Sequence, residues 1–308
     1  MDFSLASDGR LPVPGRPGPP WPARTVRIGG LDTQVRDTPA VCDGAEPAAY
    51  VHGLGGSAQD WTELAGLLAP WFDGAAVDLP GFGGSAPLRR YGQAALAGHV
   101  VRWLEHEGRG PVHLFGNSLG GAVTVRVAAL RPDLVRSLTL ISPAMPFLRP
   151  WQSTQGRLVP MVCVPGAARL LAASMARLGP EALTRESVRT CVTDPTRVSE
   201  ERIAAFAEET GTWLRSPWHA DAYLRTFRGL LGTFLRGLVP GSESLWRLAA
   251  RIQAPTLVVW GRQDRLVPVR LAARLAATVP DSRLLVVEDA GHVAQLESPR
   301  TVARAVLG

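Results

Sequence analysis

The chain has 308 residues, of which 46% are hydrophobic, and it carries a formal net charge of +6. This composition is typical of a globular protein with a substantial core and excludes a disordered chain. No run of about 18 apolar residues is present, so we expect no integral membrane segment. The chain contains no lysine, which excludes a Walker A phosphate loop, because that loop requires Gly-Lys-Ser/Thr.

The cysteines and the N-terminus bear on the cellular compartment. Cys42, Cys163 and Cys191 are few, odd in number and far apart, which argues against a disulfide framework and against a metal site. The N-terminus lacks a basic region followed by an apolar stretch, so we expect no secretory signal and a cytoplasmic protein. The sequence contains no basic stripe interleaved with aromatic residues, so we expect no nucleic acid partner. No cofactor is implied, and both a monomer and a homodimer remain open.

Taken in chain order, the sequence begins with an arm. Residues 1–22 are rich in proline and glycine and predict an extended, flexible segment. A β-hairpin is predicted over Thr25–Arg36 around a Gly-Gly turn, then a strand at Ala48–Val51. The capping pattern Ser57-Ala58-Gln59-Asp60 predicts the start of a helix.

Strands and helices then alternate along the chain. The predicted elements are a strand at 75–77, a helix near 91–107, a strand at 111–115, a helix from 122, a strand at 135–141, a strand at 256–260, a helix near 268–278, a strand at 283–287 and a helix at 300–307. This alternation predicts a mostly parallel sheet covered by helices on both faces.

The alternation is interrupted between residues 143 and 251, where amphipathic helices and no convincing strand are predicted. We therefore expect a core formed by residues 23–142 and 252–308, with a helical insertion at 143–251. The insertion contains 14 arginines and 9 acidic residues. These charges are typical of a solvated helical face. A sharper hypothesis is that Arg225 or Arg228 binds an anionic substrate group such as a carboxylate.

One short segment, Phe115-Gly116-Asn117-Ser118-Leu119-Gly120-Gly121, lies between a predicted strand and a predicted helix. Its G-x-S-x-G pattern is typical of a sharp strand-to-helix turn that exposes a serine hydroxyl. A glycine-rich turn that merely contains a serine would have the same pattern. Residues elsewhere in the chain are therefore needed to distinguish a nucleophilic Ser118 from a serine in a simple turn.

Two later segments supply the partners that a serine nucleophile needs. Asp264 follows the next-to-last predicted strand and His292 follows the last one, so both are expected at the carboxyl edge of the sheet with Ser118. A histidine can accept the serine proton, and an aspartate can orient the imidazole. The backbone N–H groups of Leu119 and Leu54 are expected to stabilise the oxyanion.

With these residues in place, the chain over about residues 24–308 resembles the α/β-hydrolase superfamily. The matching segments are His52-Gly53-Leu54-Gly55, Asp78-Leu79-Pro80-Gly81-Phe82-Gly83, Gly116-Asn117-Ser118-Leu119-Gly120-Gly121, Gly261-Arg262-Gln263-Asp264 and Gly291-His292. The resemblance implies a mostly parallel eight-stranded sheet with helices on both faces and a helical cap, or lid, inserted after the sixth strand. It also implies that His52 is structural and that Asp264 is favoured over the nearby Asp289 as the orienting acid.

The residues around the serine narrow the expected chemistry. Asn117 before the serine and the Gly-Gly pair after Leu119 resemble the corresponding residues of three groups of enzymes. These groups are esterases, cofactor-free haloperoxidase-like enzymes and hydrolases of C–C bonds in aromatic ring-cleavage products. Ser118 argues against epoxide hydrolases and haloalkane dehalogenases, which use an aspartate nucleophile.

We therefore expect a serine hydrolase acting on a small-molecule ester, or a thioester, through an acyl-enzyme. The alternatives are a C–C hydrolase of a 1,5-diketone and a small-molecule binding protein that kept the fold. Aromatic residues of the insertion are expected to form an apolar pocket for an acyl or aryl group. The expected contacts, the two arginines included, are Phe147, Trp151, Trp213, Trp218, Tyr223, Phe227, Arg225 and Arg228.

Overall fold

The computed structural model describes residues 5–13, 18–147, 164–237 and 243–308. The strands are β1 (Ala23–Ile28), β2 (Leu31–Thr38), β3 (Glu46–Val51), β4 (Phe72–Val77), β5 (Val112–Asn117), β6 (Val135–Ile141), β7 (Thr256–Gly261) and β8 (Ser282–Val287). They form one sheet in the order β1-β2-β4-β3-β5-β6-β7-β8. The pairings β1–β2 and β2–β4 are antiparallel and the others are parallel. The predicted mostly parallel, eight-stranded sheet is confirmed.

Helices connect the strands at the places that the sequence predicts. The α-helices of the described residues are α1 (Thr62–Leu68), α2 (Gln93–Glu107), α3 (Leu119–Leu130), α4 (Ala167–Cys191), α5 (Glu200–Leu214), α6 (His219–Arg236), α7 (Leu245–Ala249), α8 (Arg270–Thr278), α9 (Ala294–Glu297) and α10 (Pro299–Leu307). The hydroxyl of Ser57 accepts a hydrogen bond from the N–H of Gln59 at the start of the turn that leads into α1. Within the described ranges, no helix combines the length and the hydropathy needed to span a bilayer.

The sheet separates two hydrophobic cores. Successive side chains of a strand point to opposite faces, so Leu114 of β5 packs with Val100 and Val123 of α2 and α3. Its neighbour Phe115 packs with Leu64 and other residues of α1 and α10. Because β3, β5, β6, β7 and β8 are parallel, their carboxyl ends lie at one edge of the sheet. Ser118, Asp264 and His292 follow β5, β7 and β8 and therefore lie at this edge.

The N-terminal arm is attached to this core over its described residues. The N–H of Ala6 donates to the carbonyl of Arg304 at 3.0 Å, and Asp8 pairs with Arg300 at 3.0 Å. Leu11 is buried in the core on the α1 face. The described part of the arm that we expected to be flexible is thus held against the core by the buried Ala6 and Leu11 and by polar partners on α10, while Val13 is exposed.

The residues between β6 and β7 form helices that pack partly on each other. α4 contacts both α5 and α6. The helix is interrupted at Gly179, which has a φ of 75° and directly precedes Pro180. The short helix α7 instead packs on α3 and α8, and Leu245 and Leu248 belong to the main core. If the insertion is defined as the helices that pack on each other rather than on the core, it ends before α7, whereas the sequence predicted a boundary at residue 251.

Candidate active site

Ser118 occupies a strained bend between β5 and α3. Its φ of 53° and ψ of −115° fall in a region that residues other than glycine rarely adopt. The bend is fixed because the Ser118 N–H donates to Ile141 O at 3.0 Å and its carbonyl accepts from Ala144 N–H at 2.8 Å. Gly120 has no alternative here, since a Cβ at this position would collide with the carbonyl oxygens of Val51 and His52.

Asp264 and His292 form a buried pair at the same edge of the sheet. The Nδ1 atom of His292 lies 2.8 Å from Oδ2 of Asp264, and the two side chains are 3% and 0% exposed. The other oxygen of Asp264 accepts hydrogen bonds from the N–H groups of Leu266 and Val267 at 2.8 and 2.9 Å. An aspartate held in this way accepts the Nδ1 proton, which leaves Nε2 of His292 free to act as a base.

Two other residues considered for the site have different partners. Asp289 pairs with Arg197 at 2.5 Å, and this guanidinium lowers the pKa of Asp289. His52 has its Nδ1 2.7 Å from Gly53 O, while its Nε2 accepts from Leu79 N–H at 2.8 Å. Burial lowers the pKa of His52 to about 4. His52 is therefore a neutral residue that braces two loops, which matches the structural role expected for it.

Backbone contacts hold the loop of His292. The side-chain amide of Asn117 donates to the carbonyls of Ile141 and His292 at 3.0 and 3.1 Å. The N–H of His292 donates to the carbonyl of Cys191, the last residue of α4, at 2.6 Å. Asn117 thus fixes the loop of His292 from a position next to Ser118, a role that the sequence pattern did not reveal.

Glu297 is a second residue that sequence reasoning missed. Its side chain is buried, and Oε1 accepts from the N–H groups of Thr193 and Asp194 at 2.8 and 2.9 Å. Oε2 accepts from Gly291 N–H at 2.7 Å, directly before His292. One carboxylate thereby joins the end of α4 to the loop of His292. No local signal in the sequence indicates this link, because about a hundred residues separate the partners.

We expect Glu297→Gln to lower the free energy of unfolding by about 1–3 kcal/mol, since the glutamine NH₂ group would face a backbone N–H and leave it unpaired. The same change is expected to reduce kcat by displacing the loop of His292. Denaturant unfolding and ester hydrolysis would measure the two effects. The matched control is Glu288→Gln, whose carboxylate is exposed and pairs with Arg262. A Glu297→Gln protein as stable and active as that control would contradict the assignment.

The two expected oxyanion donors lie beside Ser118. In α3 the first intrahelical hydrogen bond runs from Ala122 N–H to Ser118 O, so the N–H of Leu119 precedes the helical ladder. Neither this N–H nor that of Leu54 donates to another group in the described part of the chain. A Cβ on Gly53 would lie 3.3 Å from Ser118 Cβ, which places the Leu54 loop against the serine.

A cavity of about 620 Å³ opens onto Ser118, His292 and the Leu54 loop. Much of its wall is apolar and comes from the helical insertion. The insertion residues with large apolar side chains at this wall are Leu171, Met175, Leu178, Leu183, Val188, Val192, Phe206, Trp213 and Tyr223. No hydrogen bond joins Ser118 and His292 in the described residues, and His292 Nδ1 instead lies 2.8 Å from Asp264 Oδ2. Among the described residues, no group of three or more ligating side chains is placed to hold a metal ion.

Only some of the residues expected to contact the substrate line the cavity. Trp213 and Tyr223 line the cavity, whereas Trp151 lies outside the described residues. The remaining aromatic residues do not match the expectation, because none of them is part of the cavity wall. Phe147 packs edge-to-face on Phe234, Phe227 is buried with Ala167 and Leu224 in a separate small core, and Trp218 precedes the first turn of α6.

Arg225 and Arg228 do not reach the cavity either. Both are exposed and line a separate cleft of about 790 Å³ near the start of α2, and Arg225 pairs with Asp221 at 2.7 Å. These arginines are three residues apart, so they share one face of α6, while Leu224 and Phe227 are buried on another face. The expectation that they bind an anionic group in the active site is therefore not matched by their position.

Comparison with known proteins agrees with this architecture. Residues 50–299 match a family model described as the alpha/beta hydrolase fold. A 2-hydroxy-6-oxononadienedioate/2-hydroxy-6-oxononatrienedioate hydrolase of Pseudomonas putida is 30% identical over 92% of this chain and 93% of its own length. The dihydrolipoyllysine-residue acetyltransferase component of an acetoin cleaving system from Cupriavidus necator is also 30% identical, over 82% of this chain, which spans only 60% of that protein.

Solved structures show the same fold. A meta-cleavage product hydrolase from Pseudomonas fluorescens superposes with a TM-score of 0.71 at 18% identity, covering 92% of this chain and 96% of that one. A thermophilic esterase from Thermogutta terrifontis gives 0.69 at 23% identity, covering 93% and 97%. At these identities the likeness concerns the fold alone. Together with the sheet order and the family match, it shows that the chain belongs to the α/β-hydrolase family.

Proposed function

We propose that the protein is a serine hydrolase that cleaves a carboxylic ester, or a related acyl substrate such as a thioester, with an apolar acyl or aryl group. One observation carries this proposal. The strained Ser118 and the imidazole held by Asp264 open onto the same cavity, whose wall is largely apolar. The helical insertion serves as the cap over this cavity.

The reaction proceeds in two halves. Ser118 Oγ attacks the ester carbonyl while Nε2 of His292 takes the hydroxyl proton, and the N–H groups of Leu54 and Leu119 stabilise the oxyanion. Collapse of the tetrahedral intermediate breaks the C–O bond, and the imidazolium gives its proton to the departing alcohol. Water then attacks the acyl-enzyme with His292 as base, which releases the acid and restores Ser118. Asp264 stabilises the imidazolium in both halves.

A second candidate is cleavage of a C–C bond in a ring-cleavage product. The Pseudomonas putida relative, whose name states such a dienedioate or trienedioate substrate, supports this alternative. The cavity argues against it, because no arginine that could pair with a substrate carboxylate lines it within the described residues. We therefore favour the ester.

Labelling with a fluorophosphonate followed by peptide mass spectrometry tests the proposal. We expect one phosphonylated residue, Ser118, and turnover of a series of aryl esters that varies with acyl chain length. A ring-cleavage dienoate, assayed in parallel, separates the two candidates. Absence of labelling at Ser118 would refute a serine hydrolase, and turnover of the dienoate without turnover of any ester would favour C–C cleavage.

A further inference from the structure

One wall of the active-site cavity carries carboxyl groups. Asp60, Glu186 and Glu209 line this cavity with Ser57, and no arginine of the described ranges does so. The excess of positive charge in the helical insertion therefore does not reach the described wall of the cavity. We refer to Ser57, Asp60 and Glu209 as the acidic wall. Such a wall offers acceptor oxygens to hydrogen-bond donors and to cations, and it offers no cationic partner to a carboxylate.

Glu209 of α5 is held in place from the core. Its carboxylate pairs with Arg36 of β2 at 3.0 Å, and the side chain is 12% exposed. The hydroxyl of Ser57 donates a hydrogen bond to the second oxygen of Glu209. Arg36 lies in the sheet and Ser57 is a buried residue at the start of the turn that leads into α1, so both oxygens of this carboxylate have fixed partners.

Asp60 differs from Glu209 because it has no ion-pair partner among the described residues. Burial, and then the neighbouring charge of Glu209, raise the pKa of Asp60 to about 8. The ionisable groups that face it from the packed elements are Glu63 of α1, Asp78 after β4, Cys191 of α4 and Glu209 of α5. At neutral pH Asp60 is therefore an uncharged acid that can donate or accept a hydrogen bond.

Gln295 of α9 supplies an independent sign of a ligand. Its side chain is fully buried and lines the same cavity. Both its Nε2 and its Oε1 lack a hydrogen-bond partner among the described residues. A buried polar group without a partner destabilises the folded protein and needs an explanation. A polar substrate group would supply the missing partner.

We propose that the acidic wall, together with Gln295, is the subsite for a polar part of the substrate, that it accepts a hydroxyl or a cationic group, and that it rejects a carboxylate. The inference rests on the proposed function, since it uses the same cavity. It implies that the natural substrate is an ester without a free carboxylate. The product acid formed on hydrolysis is anionic, so the same wall favours its release.

The test uses four phenyl esters with acyl chains of equal length that end in a methyl, a hydroxyl, a trimethylammonium or a carboxylate group. Binding to Ser118→Ala protein is measured by titration calorimetry at pH 7 and pH 9, and kcat/KM is measured with the unmodified enzyme. We expect the hydroxyl and trimethylammonium esters to bind at least about tenfold more tightly than the carboxylate ester. This ratio is expected to increase at pH 9, where Asp60 is ionised.

Three variants locate the effect. In the Ser118→Ala background, Glu209→Gln is expected to reduce the ratio to about threefold or less at both pH values. Asp60→Asn is expected to abolish its increase at pH 9, and this change closely resembles the protonated carboxyl, so folding at pH 7 is preserved. Glu208→Gln removes the same charge from an exposed position one residue away on α5 and should leave the ratio unchanged.

The outcomes separate this inference from the proposed function. Equal or tighter binding of the carboxylate ester, or a ratio insensitive to both Glu209→Gln and Asp60→Asn, would overturn the acidic-wall subsite even if all four esters are hydrolysed. Conversely, the expected ranking in binding without turnover of any ester would remove the hydrolase function and leave the subsite standing.

Discussion

Ser118→Ala protein is expected to lose at least about 10⁴-fold in kcat/KM for a phenyl ester, because the acyl-enzyme can no longer form. Removing the hydroxyl of Ser118, a residue that is 7% exposed, leaves the bend between β5 and α3 intact, since the hydrogen bonds of the bend come from the backbone. We therefore expect an unchanged free energy of unfolding within about 1 kcal/mol.

Steady-state kinetics and denaturant unfolding on the same preparation check both statements. The matched control is Ser282→Ala, at the amino end of β8 and thus at the opposite edge of the sheet, where the hydroxyl donates to the carbonyl of Ala276. Full activity in Ser118→Ala protein would show that another group is the nucleophile. A loss of activity that follows a loss of folded protein would leave the hydroxyl without an assigned role.

The Asp264→Asn variant is expected to lower kcat by about 10⁴-fold, the size of effect known for this change in serine protease triads. The carboxylate of Asp264 accepts three hydrogen bonds, one from His292 Nδ1 and two from the N–H groups of Leu266 and Val267. An asparagine has only one acceptor oxygen, which the two backbone N–H groups would retain. Its NH₂ group would then face Nδ1 and favour the tautomer with the proton on Nε2, so His292 could not take the Ser118 proton.

The pH profile of kcat distinguishes this explanation from simple disruption, because hydroxide can replace the base at high pH. We expect the deficit of Asp264→Asn to shrink as pH rises, with a circular dichroism spectrum like that of the unmodified protein. Asp289→Asn is the control, since Asp289 pairs with Arg197 rather than with His292, and its activity should stay within about threefold of the unmodified enzyme. The opposite ranking of these two variants would reassign the orienting acid.

The strand pattern and the site motifs were predictable because their signals are local. Short apolar runs separated by amphipathic segments indicate a parallel sheet, and residues that follow such strands meet at one edge whatever the details of packing. This is why Ser118, Asp264 and His292 could be grouped before any coordinates were known.

The remainder depends on contacts between distant parts of the chain. Apolar periodicity in α6 indicates a buried face but not what covers it, so Phe227 could equally have faced the cavity or a core. The arm is rich in proline and glycine, yet Leu11 is buried by residues of α1 and α10 far along the chain. Glu297 is an ordinary acidic residue in sequence, and its three partners appear only once α4 and the loop of His292 are adjacent.

The carboxylate of Glu297 has a consequence for protein engineering. Residues 193 and 194, just after α4, and Gly291, before His292, share this one acceptor, and the carbonyl of Cys191 accepts from His292 N–H. A chimera that takes its helical insertion from a relative would need to keep the joint at residues 191–194, even if the new helices cover the cavity well. Substrate range in this protein is therefore best altered by changing side chains on α4 and α5 that face the cavity, while the joint itself is left untouched.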